Sequence, residues 1–315
     1  MSKRKSSGRE PFIYRAHDPT ELQGVHTDLI ASSLKPGEKP VYLFYSPLWD
    51  GDRCCFGISS APASHAVAVT RDCFIVSRDF HIEGNPPSLY AIPFDRILSV
   101  ELGAALLLGW LSILFVENGR VSRLSILFKT IGFEHYAAAV REYRAVAGVS
   151  CPHAPKGRRA TPTKAPDRRS MKQERKVRHL ILERERIISA IHSPRLWGRE
   201  KRLWKFVPVC IAGDSMLLMT DLGLLFAADE TDLLPEVASY GVNVWCIPHD
   251  AVRAASIIEQ TKHYTRVRFL RLGLGRDSAS TFLDVPFDQS CGESACNLAE
   301  ALNTCIAAYR MGSID

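Results

Sequence analysis

The chain repeats itself, and this repeat restricts the folds open to it more than any other feature. Three segments recur in the same order in both halves: Ser-Pro followed by Trp, an apolar run that ends in Thr, and Ile-Pro-x-Asp. The matched positions are Ser46 and Ser193, Thr70 and Thr220, and Pro93 and Pro248, which lie 147, 150 and 155 residues apart. Because the offset grows in small steps, as loop insertions would make it, the sequence indicates duplication of one unit.

Within each copy, the pattern predicts antiparallel strands followed by one helix. β-branched and aromatic residues alternate in short runs on both sides of Arg71 and Asp72, which predicts a hairpin. Further strands are predicted at 89–92, 97–108, 110–117 and 121–128. Asn118 and Gly119 tolerate positive φ and predict the tight turn before the last of these strands. Helical spacing then predicts closing helices at 132–146 and 293–309.

A leading helix is also predicted in each copy. Asp18 supplies a cap acceptor before Pro19, and apolar residues follow at helical spacing as far as Ile30. In the second copy, an apolar stripe opposite charged residues predicts an amphipathic helix over 173–191. These helices place the two ordered domains at 18–147 and 173–310.

Basic charge is concentrated outside these domains. The chain carries a formal charge of +6, and its 40 Lys and Arg are unevenly spread. Residues 156–178 hold ten Lys and Arg against two acidic residues, and prolines stand among small polar residues nearby. Such a segment buries too little apolar surface to fold. We therefore expect a disordered basic N-terminus over 1–17 and a basic, proline-containing linker over 148–172.

Several classes of protein are disfavoured. There is no run of 18 apolar residues to span a bilayer, and the basic start leads into no apolar signal core. The nine cysteines are scattered and form no Cys-x-x-Cys, so we expect neither a disulfide framework nor a metal site. The ten histidines form no recognisable catalytic motif. We expect a cytoplasmic protein without catalytic residues or cofactor, with peripheral attachment to a membrane as the alternative.

Two stretches, one uncharged and one with two glycines, each allow more than one interpretation. The uncharged run 102–116 suggests a membrane dip or two buried strands, and we favour strands that divide near Leu108 and Gly109. Gly273 and Gly275 suggest a phosphate loop or a hairpin turn. We favour the turn, because no strand-to-helix context surrounds them.

The strand-rich pattern with one closing helix, the Thr70-Arg71-Asp72 hairpin and the Ile-Pro-x-Asp segment that contains Pro93 resemble bacterial pleckstrin-homology-like domains. The resemblance covers about residues 38–147 and 187–310. It implies a mainly β fold with α-helices (α+β), made of two tandem, partly open antiparallel barrels, each closed by a C-terminal helix. Members of that family mostly bind peptides, partner proteins or lipid headgroups and are not enzymes.

The resemblance also directs attention to basic residues of the first hairpin, where the phosphoinositide-binding subset carries its signature. The first copy has only Arg53 near that place. The second copy offers more cations, without the spacing of the signature, and is the better candidate for binding an anion or a lipid. Its candidate residues are Arg195, Arg199, Lys201, Arg202 and Lys205. Trp49 and Trp197 follow Ser-Pro in the two copies, either as a paired aromatic surface or as core packing.

Three functions follow from these features. The first is a non-enzymatic adaptor that recognises a protein or peptide partner, by strand addition or in a cleft. The second is recruitment to anionic membrane lipid through the second domain and the basic linker. The third is association with nucleic acid through residues 1–9 and 156–178. The mildly acidic balance of the remaining chain disfavours a broad nucleic-acid surface on the domains themselves.

Overall fold

The computed structural model describes residues 12–48, 63–80, 85–148, 171–202, 205–229, 241–276 and 278–312. These residues form a mainly β structure with a few helices, as the sequence predicts. The described strands make four antiparallel sheets, none of which closes on itself. Residues 1–11 of the predicted disordered N-terminus and most of the predicted linker lie outside the described residues, as do Trp49 and Arg53. Tyr14–Ala16, which the sequence analysis assigns to that disordered N-terminus, instead forms a strand that pairs antiparallel with Tyr42–Ser46. Among the described residues, no helix is both long enough and apolar enough to cross a bilayer.

The chain divides into two units, Met1–Ala91 and Ile92–Asp315. In the first, five antiparallel strands follow chain order across one sheet. Its elements are β1 (Tyr14–Ala16), α1 (His26–Ser33), β2 (Tyr42–Ser46), β3 (Ser64–Val69), β4 (Cys73–Asp79) and β5 (Ser88–Pro93), of which β5 runs across the boundary between the units.

The first leading helix starts later than predicted. Asp18 does act as a cap, accepting a hydrogen bond from the N–H of Thr20 at 2.9 Å, but it caps only a 3-10 turn, Pro19–Glu21. Helix α1 begins at His26, whose imidazole is buried between Ser64 and Ser77 at 2.8 and 2.7 Å. These two hydroxyls attach the start of the helix to β3 and β4, so tertiary contact decides where the helix begins.

The second unit contains strands from both sequence halves. Its first-half elements are β6 (Ile97–Ala105), β7 (Leu108–Glu117), β8 (Arg120–Lys129) and α2 (Phe133–Ala147). Its second-half elements are α3 (Met171–Arg178), β9 (Ile187–Ser193), β10 (Leu196–Arg202), β11 (Lys205–Ala212), β12 (Ser215–Thr220), β13 (Gly223–Asp229), β14 (Gly241–Pro248), β15 (Val252–Lys262), β16 (Thr265–Arg276), β17 (Ala279–Phe287) and α4 (Gly292–Gly312).

A seven-stranded sheet joins the two sequence halves within this unit. Its order is β8-β7-β6-β14-β13-β12-β9, and β6 pairs antiparallel with β14 from Val100 opposite Cys246 to Ala105 opposite Gly241. The pairing is supported elsewhere, because the Nε of Arg276 donates to the carbonyl of Ile97 at 3.2 Å. The hydrogen-bonded sheet therefore does not stop at the boundary between the repeats.

The order of elements repeats along the chain. In the first half, β2 to β5, a 3-10 turn, β6 to β8, a second 3-10 turn and α2 follow one another. In the second half, β9, β12 to β14, a 3-10 turn, β15 to β17, a second 3-10 turn and α4 do the same. The hairpin β10–β11 follows β9, and the corresponding first-half residues, 49–62, lie outside the described residues.

The threonine that the repeat aligns has the same function in both hairpins. The hydroxyl of Thr70 accepts hydrogen bonds from the N–H groups of Asp72 and Cys73, at 3.3 and 3.1 Å. The hydroxyl of Thr220 accepts from the N–H of Leu222 at 3.2 Å and donates to the carbonyl of Gly223 at 2.9 Å. The hairpin predicted at Arg71 and Asp72 is confirmed, and the threonine recurs at the matched position because its hydroxyl bonds the backbone of both turns.

Two sequence predictions in the second half are wrong. The leading helix ends at Arg178, and Ile187–Ser193 forms β9 instead, because its β-branched residues pair with β12. Gly273 and Gly275 lie inside β16, and not in a turn. A Cβ at Gly275 would meet the Ala279 carbonyl oxygen at 2.9 Å, so this glycine permits close approach of β17.

The helices of the second unit cover its sheets. Tyr136 of α2 stacks on Phe128, with ring centroids 3.7 Å apart. On α4, the side chain of Asn303 bonds both the N–H and the carbonyl of Ala255, at 3.1 and 2.9 Å. Arg144 of α2 forms a buried ion pair with Glu185. Further hydrogen bonds, from Arg144 to the carbonyl of Leu180 and from the N–H of Leu182 to Glu185, help to offset the cost of removing both charges from water.

A buried histidine makes the first unit sensitive to acid. Burial, and next the charge of Arg78, lower the pKa of His65 from 6.5 to about 3. The unfolded chain therefore binds the extra proton between about pH 6.5 and 3, and stability falls as the pH falls through this range. We expect up to about 1.4 kcal/mol of unfolding free energy to be lost per pH unit from this group. Urea unfolding at a series of pH values measures it. The slope should be shallower in His65→Leu, and an equal slope in both proteins would contradict the assignment.

Candidate functional site

The candidate cations of the second copy lie on one two-stranded ribbon. Strands β10 and β11 pair only with each other among the described strands. Arg199, Lys201 and Arg202 lie on β10 and Lys205 begins β11, while Arg195 precedes the ribbon. The structure therefore places four of the five predicted cations, together with Trp197, on a single hairpin, and the fifth, Arg195, directly before it.

Strand register separates these residues into two faces. Opposite residues share a face, and Arg199 lies opposite Pro208 while Lys201 lies opposite Phe206. Trp197 is two residues before Arg199 and belongs to the same face. Arg202 and Lys205 lie opposite each other in the register, at positions that belong to the other face of the ribbon.

An exposed aromatic surface accompanies the first of these faces. Trp197, Phe206 and Tyr264 are 56, 59 and 72% exposed, although large aromatic side chains usually bury most of their area. The rings of Phe206 and Tyr264 meet edge to face, with centroids 5.8 Å apart and an interplanar angle of 84°. Two distant segments of the chain thus form one apolar surface in contact with solvent.

The turn that presents Tyr264 is strained. His263 and Tyr264 connect β15 to β16, and both have positive φ, at 46° and 56°. This conformation suits Asn and Gly, and a bulky residue adopts it at a cost. Strain of this kind persists where the surrounding structure imposes it, and it is concentrated at binding sites.

The ribbon lies against this turn through backbone. The N–H of Arg199 donates to the carbonyl of His263 at 3.0 Å. Because this N–H points away from β11, Arg199 and Pro208 form a non-hydrogen-bonded pair of the ribbon, in which the proline costs no ladder bond. Gly198 permits the approach, because a Cβ there would lie 2.6 Å from Cδ1 of Ile211 and 3.1 Å from Cβ of His263.

Ribbon and turn enclose an open groove, which we call the aromatic groove. Its lining residues are Trp197, Gly198, Arg199, Phe206, Pro208, Tyr264, Thr265, Arg266 and Gln289. Among these described residues none is acidic. Arg199 is exposed, and Arg266 approaches Glu259 only at 3.7 Å from an exposed position. The groove therefore offers two accessible guanidinium groups beside aromatic rings.

Arg195 has a different function from the other candidate cations. Its Nη2 donates to the buried carboxylate of Asp229 at 3.2 Å, and its N–H donates to Asp214 at 2.8 Å. Asp229 also accepts a hydrogen bond from Gln173 of α3 at 2.9 Å. The guanidinium carbon lies 5.9 Å from the Trp197 ring. Arg195 is therefore already ion-paired, and it supports the tryptophan.

Several residues that line the aromatic groove are not identifiable from the sequence repeat. The repeat does not point to Phe206, Tyr264 or Arg266, since none of them stands in a matched segment. The available signal was the alternation around Phe206, and a two-residue gap at His263 and Tyr264 between two strand-like runs.

The thiols of Cys210 and Cys246 are poor nucleophiles. Desolvation raises the pKa of the buried Cys246 thiol to about 12, and it also raises the pKa of Cys210. Both thiols therefore stay protonated near neutral pH, where a nucleophilic cysteine has to be a thiolate. Among the residues that the structure describes, no three His, Cys, Asp or Glu side chains are placed to hold a metal ion.

Two matched glycine variants test the contact between ribbon and turn. Gly198→Ala introduces a methyl group against Ile211 and His263, and we expect it to destabilise the protein by about 1–3 kcal/mol. Gly273→Ala is the control, because its Cβ would make only ordinary contacts at 3.7 Å. Urea unfolding and hydrogen exchange of the Arg199 amide provide the measurement. Equal stability and equal exchange in the two variants would contradict the geometry.

Comparison of the chain with known protein families, curated proteins and solved structures gives no match. The aromatic groove is therefore interpreted from its own residues.

Proposed function

We propose that the chain is a non-enzymatic binding protein whose aromatic groove holds an extended, acidic peptide segment of a partner protein. The observation that carries this proposal is the combination of three exposed aromatic rings with Arg199 and Arg266 in one open groove. Aromatic residues and arginine are the side chains that contribute most to protein interfaces.

The shape of the groove favours an elongated ligand. One wall is a β-ribbon and the other a hairpin turn, and the groove between them is open to solvent. Peptides in polyproline conformation bind to aromatic-lined grooves with little loss of entropy, because that conformation is already formed in the free peptide. Arg199 and Arg266 then select acidic residues in the peptide, because guanidinium groups bind carboxylates in a bidentate manner.

The tandem pleckstrin-homology-like arrangement belongs to the same proposal. Apart from β1 in the first half and the hairpin β10–β11 in the second, each half of the described chain contains seven strands in the same order and ends in one helix, which fits that fold. We propose that the two copies are such domains and that they share the sheet in which β6 pairs with β14. Fold alone does not define a ligand, and the groove does.

Anionic membrane lipid is a second candidate, favoured by the other face of the ribbon. Lys205 and Val207 are exposed there, and Lys201 and Phe206 are exposed on the groove face. Cations beside exposed apolar side chains suit the surface of an anionic bilayer. Association with nucleic acid through 1–9 and 156–178 remains a prediction, since those basic segments lie mostly outside the described residues.

A labelled peptide of alternating glutamate and proline tests the peptide proposal. We expect Trp197→Ala and Arg199→Ala each to weaken its binding by tenfold or more, because both side chains line the groove. Lys205→Ala is the control, since Lys205 is an exposed cation on the other face. Fluorescence anisotropy at low and high salt measures the affinity.

Two results would count against the groove as a peptide site. The first is an equal loss of affinity in Lys205→Ala and Arg199→Ala, which would indicate general attraction between charges. The second is the absence of peptide binding together with salt-sensitive sedimentation on phosphatidylserine vesicles, which would favour the lipid candidate.

A further inference from the structure

A second exposed apolar feature lies away from the aromatic groove, at the turn between β6 and β7. Leu106 and Leu107 form this turn and are 54 and 79% exposed. Ile131, also 79% exposed, lies beside them, because the N–H of the preceding Thr130 donates to the carbonyl of Leu107 at 3.0 Å. We call these three side chains the aliphatic tip.

The turn of the aliphatic tip has residues that its backbone does not favour. Leu106 has φ of 52°, in the left-handed region that a large side chain enters only at a cost. The next hairpin of the same sheet has Asn118 and Gly119 in its turn, with φ of 51° and 71°. Those are the residues that such turns prefer. The same sheet thus contains one turn with residues that positive φ favours and one turn with a residue that it disfavours. The hairpin itself therefore does not require leucines at its tip.

The small apolar area of the aliphatic tip restricts the kind of partner that it binds. Three aliphatic side chains offer roughly 200–350 Å² of apolar surface. A stable protein interface buries about 800 Å² on each partner. The tip is also the end of a hairpin, which presents no groove or flat surface to a second copy of the chain. A lipid bilayer meets these limits, because fluid acyl chains surround a small protrusion without a preformed complementary surface.

The neighbouring charge agrees with a lipid surface. Lys129 is exposed and pairs in register with Leu108, directly beside the tip. A lysine in this position reaches headgroups while the aliphatic side chains enter the apolar layer. We propose that the aliphatic tip of Leu106, Leu107 and Ile131 inserts into the interface of a lipid bilayer. This inference is independent of the peptide proposed for the aromatic groove.

The double variant Leu106→Gly, Leu107→Asn provides a test in which folding and binding change in opposite directions. Of the two turn residues only Leu106 has positive φ, which glycine adopts without a steric cost, so we expect the melting temperature to equal or exceed that of the wild type. Removal of two inserting side chains should lower partition onto vesicles by about tenfold to a hundredfold. Sedimentation of the full chain with sucrose-loaded phosphatidylcholine vesicles, with and without phosphatidylserine, measures partition.

The matched control is Phe12→Asn, which removes another strongly exposed apolar side chain. We expect wild-type partition in this control, and we expect the contribution of the aliphatic tip to persist at high salt, unlike attraction by lysines alone. The proposal is overturned if the wild type does not bind either vesicle, or if the double variant binds as the wild type does. It is also overturned if the wild type is a dimer that the double variant converts to a monomer, which would assign the tip to a second copy.

Discussion

The pairing of β6 with β14 is the interaction on which the second unit depends. Without it, the hairpins of the first half and those of the second would each present an open edge, and exposed edges invite association with other chains. With it, seven strands form one sheet, and α2 adds the buried ion pair between Arg144 and Glu185. Removal of one partner of such a pair is strongly destabilising, because it leaves the other charge buried without compensation.

The same sheet also positions both exposed apolar features. The turn of Leu106 and Leu107 follows Ala105, which pairs with Gly241 at one end of the sheet. Strand β9 ends at Ser193, opposite Ser215, at that same end, and the ribbon of the aromatic groove begins three residues later. Four strand spacings, about 19 Å, separate the two places. One rigid platform thus supports a groove for an acidic peptide and a tip for a lipid surface, as we propose them.

Local chemistry was readable from the sequence, and contacts between distant segments were not. The turn at Asn118 and Gly119 and the hairpin at Thr70 were predicted because short-range hydrogen bonds and positive φ determine them. The pairing of β6 with β14 leaves no local signal, since either strand would look the same beside another partner. The ribbon side of the aromatic groove was predicted, and the turn side was not. The turn at Tyr264 has positive φ but lacks the Asn and Gly residues by which such turns are recognised in a sequence.

Hydrogen exchange of the full chain in increasing urea tests most directly whether one sheet holds the second unit together. If the two halves unfold as one cooperative unit, the amides of β6 and β14 should lose protection at the same urea concentration, because opening of either strand breaks the hydrogen bonds that join them. Peptides covering 97–105 and 241–248 report the two strands. Loss of protection in 97–105 at clearly lower urea than in 241–248 would show that the two halves are stable independently, and it would contradict the account.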